Sequence, residues 1–232
     1  MSWRRAVIIG ASGGIGAALA LQLEAGGTEV LRYSRSAQDP EARIDLEDEA
    51  SIEAAARHAA PGGDVDLVIV ASGFLHEDGE GPEKDWRQLS ADNFAKSFAA
   101  NATGPALVAK HFLPLLPDHG RAGFAALSAR VGSISDNRLG GWYAYRASKA
   151  ALNMIIRTLS VELARKKPDA FCVGIHPGTV DTALSEPFQR NVPHNKLFTP
   201  EYAAGRILEV IAGLNSAASG QHIGWDGQFI AA

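Results

Sequence analysis

The sequence has little of what several function classes require. Its 232 residues contain one cysteine, Cys172, so no disulfide can form within the chain, and nothing points to an oxidising compartment. It has no run rich in lysine and arginine, and 22 basic against 26 acidic residues give a net charge of −4. Nucleic acid and anionic membrane surfaces are therefore not expected as partners.

Long apolar runs are also missing. The run near the N-terminus, Ala6–Ile9, stops at a glycine and is too short for a signal peptide core or a membrane span. No two histidines stand at ligand spacing with an acidic or cysteine companion, so no metal site is expected. We expect a cytoplasmic protein with a single domain over residues 1–232, because α/β domains commonly reach this length.

Short apolar runs alternate with longer amphipathic segments along the whole chain. This alternation predicts a Rossmann-type doubly wound α/β fold with a mostly parallel sheet flanked by helices. The stretch from about Thr182 to Thr199 has little regular pattern, which favours a substrate lid over a merely floppy surface loop. We expect seven strands, at 6–9, 29–33, 43–45, 67–71, 123–128, 170–175 and 221–225, and helices at 15–25, 50–58, 92–116, 143–165 and 200–212.

The first predicted strand ends in a glycine-rich loop, Gly10–Gly16, that leads directly into a helix. Glycine tolerates positive φ and lets a ligand approach the backbone closely. The unpaired N–H groups and the dipole of the helix favour an anion there, and a pyrophosphate is the expected one. A tight turn without a ligand is the alternative. The candidate cofactor-binding residues of this loop are Gly10, Ser12, Gly14, Ile15 and Gly16.

The end of the second strand bears on the choice of cofactor. An acidic side chain there would hold the ribose 2′-hydroxyl of NAD, whereas an arginine would accept the 2′-phosphate of NADP. The segment Leu31–Ser36 contains Arg32 and Arg35 and no carboxylate. We therefore expect NADP(H) to be favoured over NAD(H), with Arg35 at the phosphate. The alternative is that both arginines only face solvent.

Tyr145 and Lys149 stand four residues apart at the start of a predicted helix, and so share one face. A phenol with a reference pKa near 10 shuttles protons poorly at neutral pH unless a nearby cation stabilises the phenolate. Tyr145 would then give a proton to a carbonyl oxygen while a hydride arrives at the carbon, or act in reverse. Tyr143 has Ala147, not a lysine, four residues later.

The G-x-x-x-G-x-G spacing of the glycine loop, the Tyr-x-x-x-Lys pair and Pro177–Gly178 after a predicted strand resemble the short-chain dehydrogenase/reductase family, and the segment Leu127–Ile134 resembles its C-factor-like branch. The resemblance covers nearly the whole chain. It implies a homo-oligomeric oxidoreductase that interconverts the carbonyl and alcohol of a small organic substrate. It also implies that Lys149 bonds the nicotinamide ribose and that Asn101 feeds a proton relay. A helix kink or a satisfied polar core residue is the alternative for Asn101.

The same resemblance implies further cofactor contacts. Asp45 and Leu46 would lie beside the adenine, the residues after the fourth strand would also make contacts on the adenine side, and those after the sixth strand would hold the nicotinamide carboxamide. Ile9 stands where the family usually has a threonine, and only Gly73 matches the family's N-N-A-G at positions 70–73. The implied residues after the fourth and sixth strands are Ala71, Gly73, Pro177, Gly178, Thr179, Val180 and Thr182.

The family's catalytic serine is less clear in this chain. Ser133 precedes Tyr145 by 12 residues, which fits the family, but the C-factor-like branch would place the working serine at the position of Ala129. Either Ser133 or Ser128 supplies the hydroxyl, or the site works without one; we favour Ser133. Ala129 also supports an alternative function, a cofactor-binding regulatory or signalling protein with vestigial catalysis. The lid and the loop Phe74–Trp86 would select the substrate.

Overall fold

The computed structural model describes residues 3–77, 81–193 and 196–231. A six-stranded parallel sheet has the order β2-β1-β3-β4-β5-β8, and two short strands, β6 and β7, pair separately. In chain order the strands are β1 (Arg5–Ile9), β2 (Glu29–Tyr33), β3 (Leu67–Val70), β4 (Gly123–Leu127), β5 (Phe171–His176), β6 (Thr179–Val180), β7 (Leu197–Phe198) and β8 (His222–Gly224).

Helices cover both faces of the sheet, which is why its central strands are buried along their whole length. Leu19 and Ile207, on α1 and α6, pack in the core on one face, and Ile52 and Phe112, on α2 and α4, pack with α5 on the other. The predicted fold class is confirmed. The helices are α1 (Gly14–Ala25), α2 (Glu49–Ala59), α3 (Ala91–Phe98), α4 (Gly104–Phe112), α5 (Tyr143–Lys166) and α6 (Pro200–Gly213).

The prediction of a seventh strand at 43–45 is wrong, because the main sheet has six strands. The segment makes a single bridge, between Ser34 and Arg43, before it leaves the sheet edge. Ile44 N still bonds the Ser34 carbonyl at 3.3 Å, but the donor after it, Asp45 N, bonds the Ser51 hydroxyl at 2.9 Å. Local polar contacts thus replace the ladder that a strand would need.

The predicted lid, Thr182 to Thr199, contains more regular structure than its sequence indicated. It begins directly after β6, holds a 3₁₀ helix at Glu186–Asn191 and includes β7. Pairing of β6 with β7 closes this segment at its base. Residues 194 and 195 of the predicted lid lie outside the described residues.

The single helix predicted at 92–116 is divided into pieces. A π-helical turn, Ala99–Thr103, separates α3 from α4, and a 3₁₀ turn follows at Leu113–Leu115. Pro105 has no N–H with which to continue an α-helical ladder through this turn. Such turns frequently occur at functional sites, and this one holds Asn101, which is fully buried.

The strand order changes direction between β1 and β3, because the chain goes from β1 outward to β2 and then returns to the other side of β1. A crevice opens beyond the carboxyl ends of the strands at such a switch point, and ligands of open α/β sheets bind there. In the described ranges, no helix has both the length and the apolar run that crossing a bilayer requires.

Candidate active site

The glycine loop follows β1 and turns sharply into α1. Gly10 has φ +86°, a conformation that favours glycine. A Cβ on Gly16 would lie 2.2 Å from the Gly10 carbonyl oxygen, so helix and loop approach as closely as backbone allows. The side chain of Thr182 packs against the loop, since a Cβ on Gly14 would lie 2.8 Å from the Thr182 methyl group. The start of α1 therefore offers backbone donors inside a cradle that a side chain would fill.

A cavity of about 400 Å³ opens from this loop across the carboxyl ends of β1, β2 and β3. The glycine cradle, together with a lining that includes both Ser12 and Leu46, fits a dinucleotide whose pyrophosphate lies on the loop. The cavity brings ten of the predicted cofactor residues together: Gly10, Ser12, Gly14, Ile15, Arg35, Asp45, Leu46, Ala71, Gly73 and Thr182. Sequence reasoning missed other lining residues, among them Ser34, Ser36, Ser72 and Leu184.

The two arginines at the end of β2 behave differently. Arg32 donates to both carboxylate oxygens of Glu24 on α1, so it is already paired. Arg35 is exposed on the cavity wall and makes no ion pair within the described part of the chain. Asp45 lies on the same wall, where its carboxylate accepts from the N–H of Glu47 at 3.0 Å. Only Arg35 is left with its guanidinium available to an anion in the cavity.

Tyr145 and Lys149 lie on the first two turns of α5, on the face that meets the sheet. Lys149 is 3% exposed, and its Nζ donates to the carbonyl oxygen of Leu127 at the end of β4, at 2.8 Å. Nζ also lies 5.8 Å from the centre of the Tyr145 ring. Burial lowers the pKa of Lys149 to about 8 and raises the pKa of Tyr145 to about 12. At pH 7 the ammonium keeps its charge and has two donors left for other partners.

Asn101 connects the π-helical turn to the tyrosine. Its Oδ1 accepts from the N–H of Phe74 at 2.8 Å, and its Nδ2 donates to the Phe74 carbonyl at 2.8 Å and to the Ser148 hydroxyl at 3.1 Å. Ser148 in turn donates to the Tyr145 carbonyl at 2.8 Å. A Cβ on Gly73 would lie 3.3 Å from Asn101 Oδ1 and 3.6 Å from Lys149 Nζ. Because Gly73 lines the 400 Å³ cavity, called the cofactor cavity below, these two groups lie at its border.

The predicted Ser133 lines neither the 400 Å³ cavity nor the 780 Å³ cavity. Ser133 lines a separate small pocket with Ala147 and Ala150, which lie roughly on the opposite side of α5 from Tyr145. Its hydroxyl accepts from the N–H of Asp136 at 3.1 Å. The sequence pattern could not distinguish the two sides, because spacing along the chain does not fix how the loop after β4 crosses the helix.

Ser128 is buried, and its hydroxyl is hydrogen-bonded to a side chain other than Tyr145. Its hydroxyl donates to Oδ1 of Asn153 at 2.7 Å, and Nδ2 of Asn153 lies 3.3 Å from a ring nitrogen of His222. Burial, with neighbouring cations, lowers the pKa of His222 to about 4, so its ring is neutral at pH 7. Ala129 directly follows Ser128 and has no hydroxyl at all.

The predicted turn after β5 lies beyond the cavity. Gly178 has φ +82°, and a Cβ there would lie 2.6 Å from the Phe198 ring, so only glycine fits. Thr179 and Val180 form β6 and lead to Thr182 above the glycine loop. Pro177, Gly178, Thr179 and Val180 do not line the 400 Å³ cavity, and Gly16 lies behind the loop.

A second cavity, of about 780 Å³, lies between the lid and the loop after β3, and Trp142 lines it. The centre of the Trp142 ring lies 6.1 Å from the centre of the Tyr145 ring and 5.0 Å from the centre of the Phe188 ring of the lid. The centres of the His76 and Phe188 rings lie 5.6 Å apart. The sequence prediction assigned this region to substrate selection but identified neither Trp142 nor Glu83, which also line the cavity. The glycine pair before Trp142 was the available signal.

The described residues 3–77, 81–193 and 196–231 contain no group of three or more histidine, cysteine, aspartate or glutamate side chains placed to hold a metal ion. The ionisable groups near the two cavities include the phenol of Tyr145, the ammonium of Lys149 and the exposed guanidinium of Arg35, beside carboxylates such as Asp45 and Glu83. This arrangement can bind an anionic dinucleotide and can exchange one proton with a bound oxygen.

The family model described as short chain dehydrogenase matches residues 4–193. A 1-hydroxy-2-glutathionyl-2-methyl-3-butene dehydrogenase of Rhodococcus sp. (strain AD45) is 30% identical over 233 residues, which cover 97% of each chain. The C-signal protein of Myxococcus xanthus is 38% identical over 136 residues, covering 58% of this chain and 76% of the relative.

Solved structures share the fold over the whole chain. The NADPH-bound carbonyl reductase from chicken fatty liver has a TM-score of 0.84 at 24% identity, with 100% of both chains covered. The carbonyl reductase Sniffer of D. melanogaster has a TM-score of 0.83 at 22% identity, again with full coverage. At these identities the likeness concerns the fold.

Proposed function

We propose that this chain, which belongs to the short-chain dehydrogenase family of oxidoreductases, transfers a hydride between NADP(H) and the carbonyl or alcohol of a small organic substrate. The observation that carries the proposal is the placement of Tyr145 and Lys149. They share one face of α5: Lys149 lies beside Gly73, which lines the 400 Å³ cavity, and Tyr145 lies beside Trp142, which lines the second cavity. This placement supports a role for Tyr145 as the proton donor between a cofactor in the first cavity and a substrate in the second.

The roles follow from the contacts. A bound nicotinamide would supply the hydride or take it up. Tyr145 would donate the proton to the substrate oxygen in reduction. Lys149 lowers the cost of the phenolate through its charge, since the pKa of Tyr145 is about 12 in the protein alone and must fall for rapid transfer. Asn101 and Ser148 hold the backbone of Tyr145 and border the cofactor cavity, which suits a residue that positions the proton donor.

The test of this function is Tyr145→Phe on an aldehyde or ketone that the wild type reduces. Loss of the proton donor should lower kcat by about 10²- to 10⁴-fold, while the NADPH Kd from fluorescence titration changes little. Tyr143→Phe is the matched control, because Tyr143 lines the small pocket on the other side of α5. Full turnover in Tyr145→Phe would contradict the proposal.

The preference for NADP(H) rests on Arg35. Its exposed guanidinium on the cavity wall would bond the 2′-phosphate, and a hydrogen bond between charged groups contributes about 1.5 to 3 kcal/mol. Arg35→Ala should therefore weaken NADPH binding by about 10- to 100-fold and leave NADH binding unchanged. Arg32→Ala is the control, since Arg32 is paired with Glu24. Equal losses for both cofactors would remove the basis for the preference.

The contacts favour the third of the serine alternatives, a site that works without the hydroxyl, over Ser133 and Ser128. Losing one donor to a developing oxyanion costs about 10²- to 10³-fold in rate, so the enzyme would be slow but active. Ser133→Ala and Ser128→Ala should each retain turnover, and Ala129→Ser should raise it. A large loss in Ser133→Ala would restore Ser133 as the catalytic serine.

Ala129 also supports the second candidate, a cofactor-binding regulatory or signalling protein with weak or vestigial catalysis. Retention of both Tyr145 and Lys149 favours the enzyme, because a sensor needs neither a proton donor nor its activator. Tight NADPH binding without oxidation across a panel of aldehydes and ketones would favour the regulatory function.

Three further expectations belong to this proposal. The chain would act as a single cofactor-binding domain, in the cytoplasm, where its one cysteine stays reduced. It would also be a homo-oligomer, for which the exposed Met154 and Val161 of α5 supply apolar surface.

A further inference from the structure

We propose that Glu83 is a positioning residue for catalysis, which holds the start of α5 so that Tyr145 and the ring of Trp142 face the second cavity. The proposal rests on the function proposed for Tyr145. Glu83 lies in the loop after β3, far from α5 in the sequence, and belongs to none of the motifs on which the family resemblance depends.

Glu83 is a charged residue with almost no access to water, because it is 3% exposed. Such burial is costly unless the carboxylate is hydrogen-bonded. One oxygen, Oε2, accepts from the N–H of Ala144 at 3.2 Å, and the other, Oε1, accepts from Nδ2 of Asn93 at 2.6 Å. Its backbone carbonyl accepts from the N–H of Trp142 at 2.5 Å. Three elements, the loop, α3 and α5, thus meet at one side chain and its peptide.

The positive, N-terminal end of the α5 dipole takes the place of a basic side chain beside this carboxylate. Among the residues that the structure describes, Glu83 forms no ion pair with a lysine, arginine or histidine. Ala144 is the second residue of α5, so its N–H is one of the donors that have no partner within a helix. A carboxylate at a helix N-terminus interacts favourably with the helix dipole. Tyr145 directly follows Ala144 in this first turn of α5.

The backbone before α5 is strained where Glu83 holds it. Gly140, Gly141 and Trp142 have φ values of +65°, +67° and +52°, and Trp142 is the only residue other than glycine with positive φ in the described ranges. A bulky residue in this conformation persists only where its surroundings enforce it, and such residues cluster at active sites. The bond from Trp142 N to the Glu83 carbonyl, together with the bond from Arg146 N to the Trp142 carbonyl at 2.8 Å, enforces it here.

The strained conformation directs the Trp142 ring into the catalytic region. In this conformation the ring stands edge-on to the rings of Tyr145 and of Phe188 in the lid, with ring centres 6.1 Å and 5.0 Å apart. Without its side chain, position 83 would lose its bonds to Asn93 of α3 and to the N–H of Ala144. The loop would then no longer hold its backbone carbonyl against the N–H of Trp142, and Trp142 would relax toward negative φ and move its ring away from both. The first turn of α5 would then lose the contact that fixes where the Tyr145 phenol points, although the cofactor cavity, which Glu83 does not line, would remain.

Glu83→Ala is the first variant, measured for kcat and KM with a ketone substrate and for NADPH Kd by fluorescence. Misplacement of the donor by about 1 Å should lower kcat by about 10- to 100-fold, with the NADPH Kd within twofold of the wild-type value, taken as about the error of a titration. Glu83→Gln should restore most of kcat, because the amide oxygen still accepts from Ala144 and the Asn93 amide can rotate to accept from the new NH₂ group.

Asp66→Asn is the matched control, because Asp66 is also a buried carboxylate that accepts from backbone donors. It is 6% exposed and accepts from Arg4 N at 2.8 Å and Arg5 N at 3.3 Å, at the amino end of the sheet, far from the site. It should lower the unfolding midpoint without changing kcat. If Glu83→Ala does not fold, Asn93→Ala removes one of the bonds of Glu83 and should lower kcat in the same direction by a smaller factor.

The outcomes separate the two proposals. If Tyr145→Phe is inactive but Glu83→Ala, or Asn93→Ala in its place, keeps the wild-type kcat, only the role of Glu83 is wrong. A Glu83→Ala variant that loses kcat and NADPH affinity together would show a general structural role and would also overturn the inference. If Tyr145→Phe turns over normally, the proposed function itself fails, whatever Glu83 does.

Discussion

Replacing Asn101 by alanine removes three hydrogen bonds at once from a site with no access to water. The side chain is fully buried and bonds both backbone groups of Phe74 as well as the Ser148 hydroxyl. A net contribution of about 1 kcal/mol for each bond gives a loss of about 2 to 4 kcal/mol in the free energy of unfolding, the upper end applying if the Phe74 groups stay dry and unpaired.

Two serines of α5 provide an internal comparison. Ser148 and Ser160 are both buried, and each hydroxyl donates to the carbonyl three residues earlier, at 2.8 Å and 2.7 Å. Only Ser148 also accepts from Asn101. Ser148→Ala should therefore cost about 1 kcal/mol more than Ser160→Ala, and this excess should disappear in the Asn101→Ala background.

Urea denaturation followed by far-UV circular dichroism measures these differences. Two results would refute the reasoning. One is a cost of Asn101→Ala below about 1 kcal/mol, which would mean that water or a relaxed helix replaces the lost bonds. The other is an equal cost for Ser148→Ala and Ser160→Ala, which would mean that the bond from Asn101 to Ser148 contributes nothing.

Two further outcomes are expected. The pKa of His222 is about 4 in the folded protein against 6.5 for a free ring, so the unfolded chain binds more protons between these values and the free energy of unfolding falls as pH drops from 6.5 towards 4. His222→Gln should flatten this fall in urea midpoints, and an unchanged slope would contradict the assignment. Gly16→Ala should abolish NADPH binding, because its Cβ would lie 2.2 Å from the Gly10 carbonyl oxygen. Gly13→Ala, with φ −80° and 3.4 Å to the same atom, should bind nearly as the wild type does, and equal affinities would show that close approach is not the reason for Gly16.

The fold was largely predictable because it depends on short-range patterns. Apolar runs such as Ala6–Ile9 and Leu67–Val70 are buried on both faces of a parallel sheet, and their composition alone indicates this. The prediction failed at Arg43–Asp45, where an apolar residue flanked by charges reads as a strand but a hydroxyl from α2 takes the backbone donor. It also failed within 92–116, where Pro105 and the bonds of Asn101 interrupt the helix.

The candidate site was predictable where one element carries the signal. The glycine loop needs strand, turn and helix in succession, and the Tyr145–Lys149 pair needs one helical turn, so both could be read along the chain. The serine could not, because whether Ser133 faces Tyr145 depends on how the loop after β4 crosses α5. Spacing along a chain carries no such information.

The sequence by itself determined the doubly wound architecture, the glycine-rich turn into α1 and the residues able to move a proton, because each follows from periodicity or from the chemistry of neighbouring side chains. Only the tertiary structure decided which of the two arginines is paired and which pocket Ser133 lines. It also decided that Glu83, some 60 residues before Tyr145, lies at the start of the same helix. These are contacts between distant segments, and they exist only once the sheet has brought the loops together at its carboxyl edge.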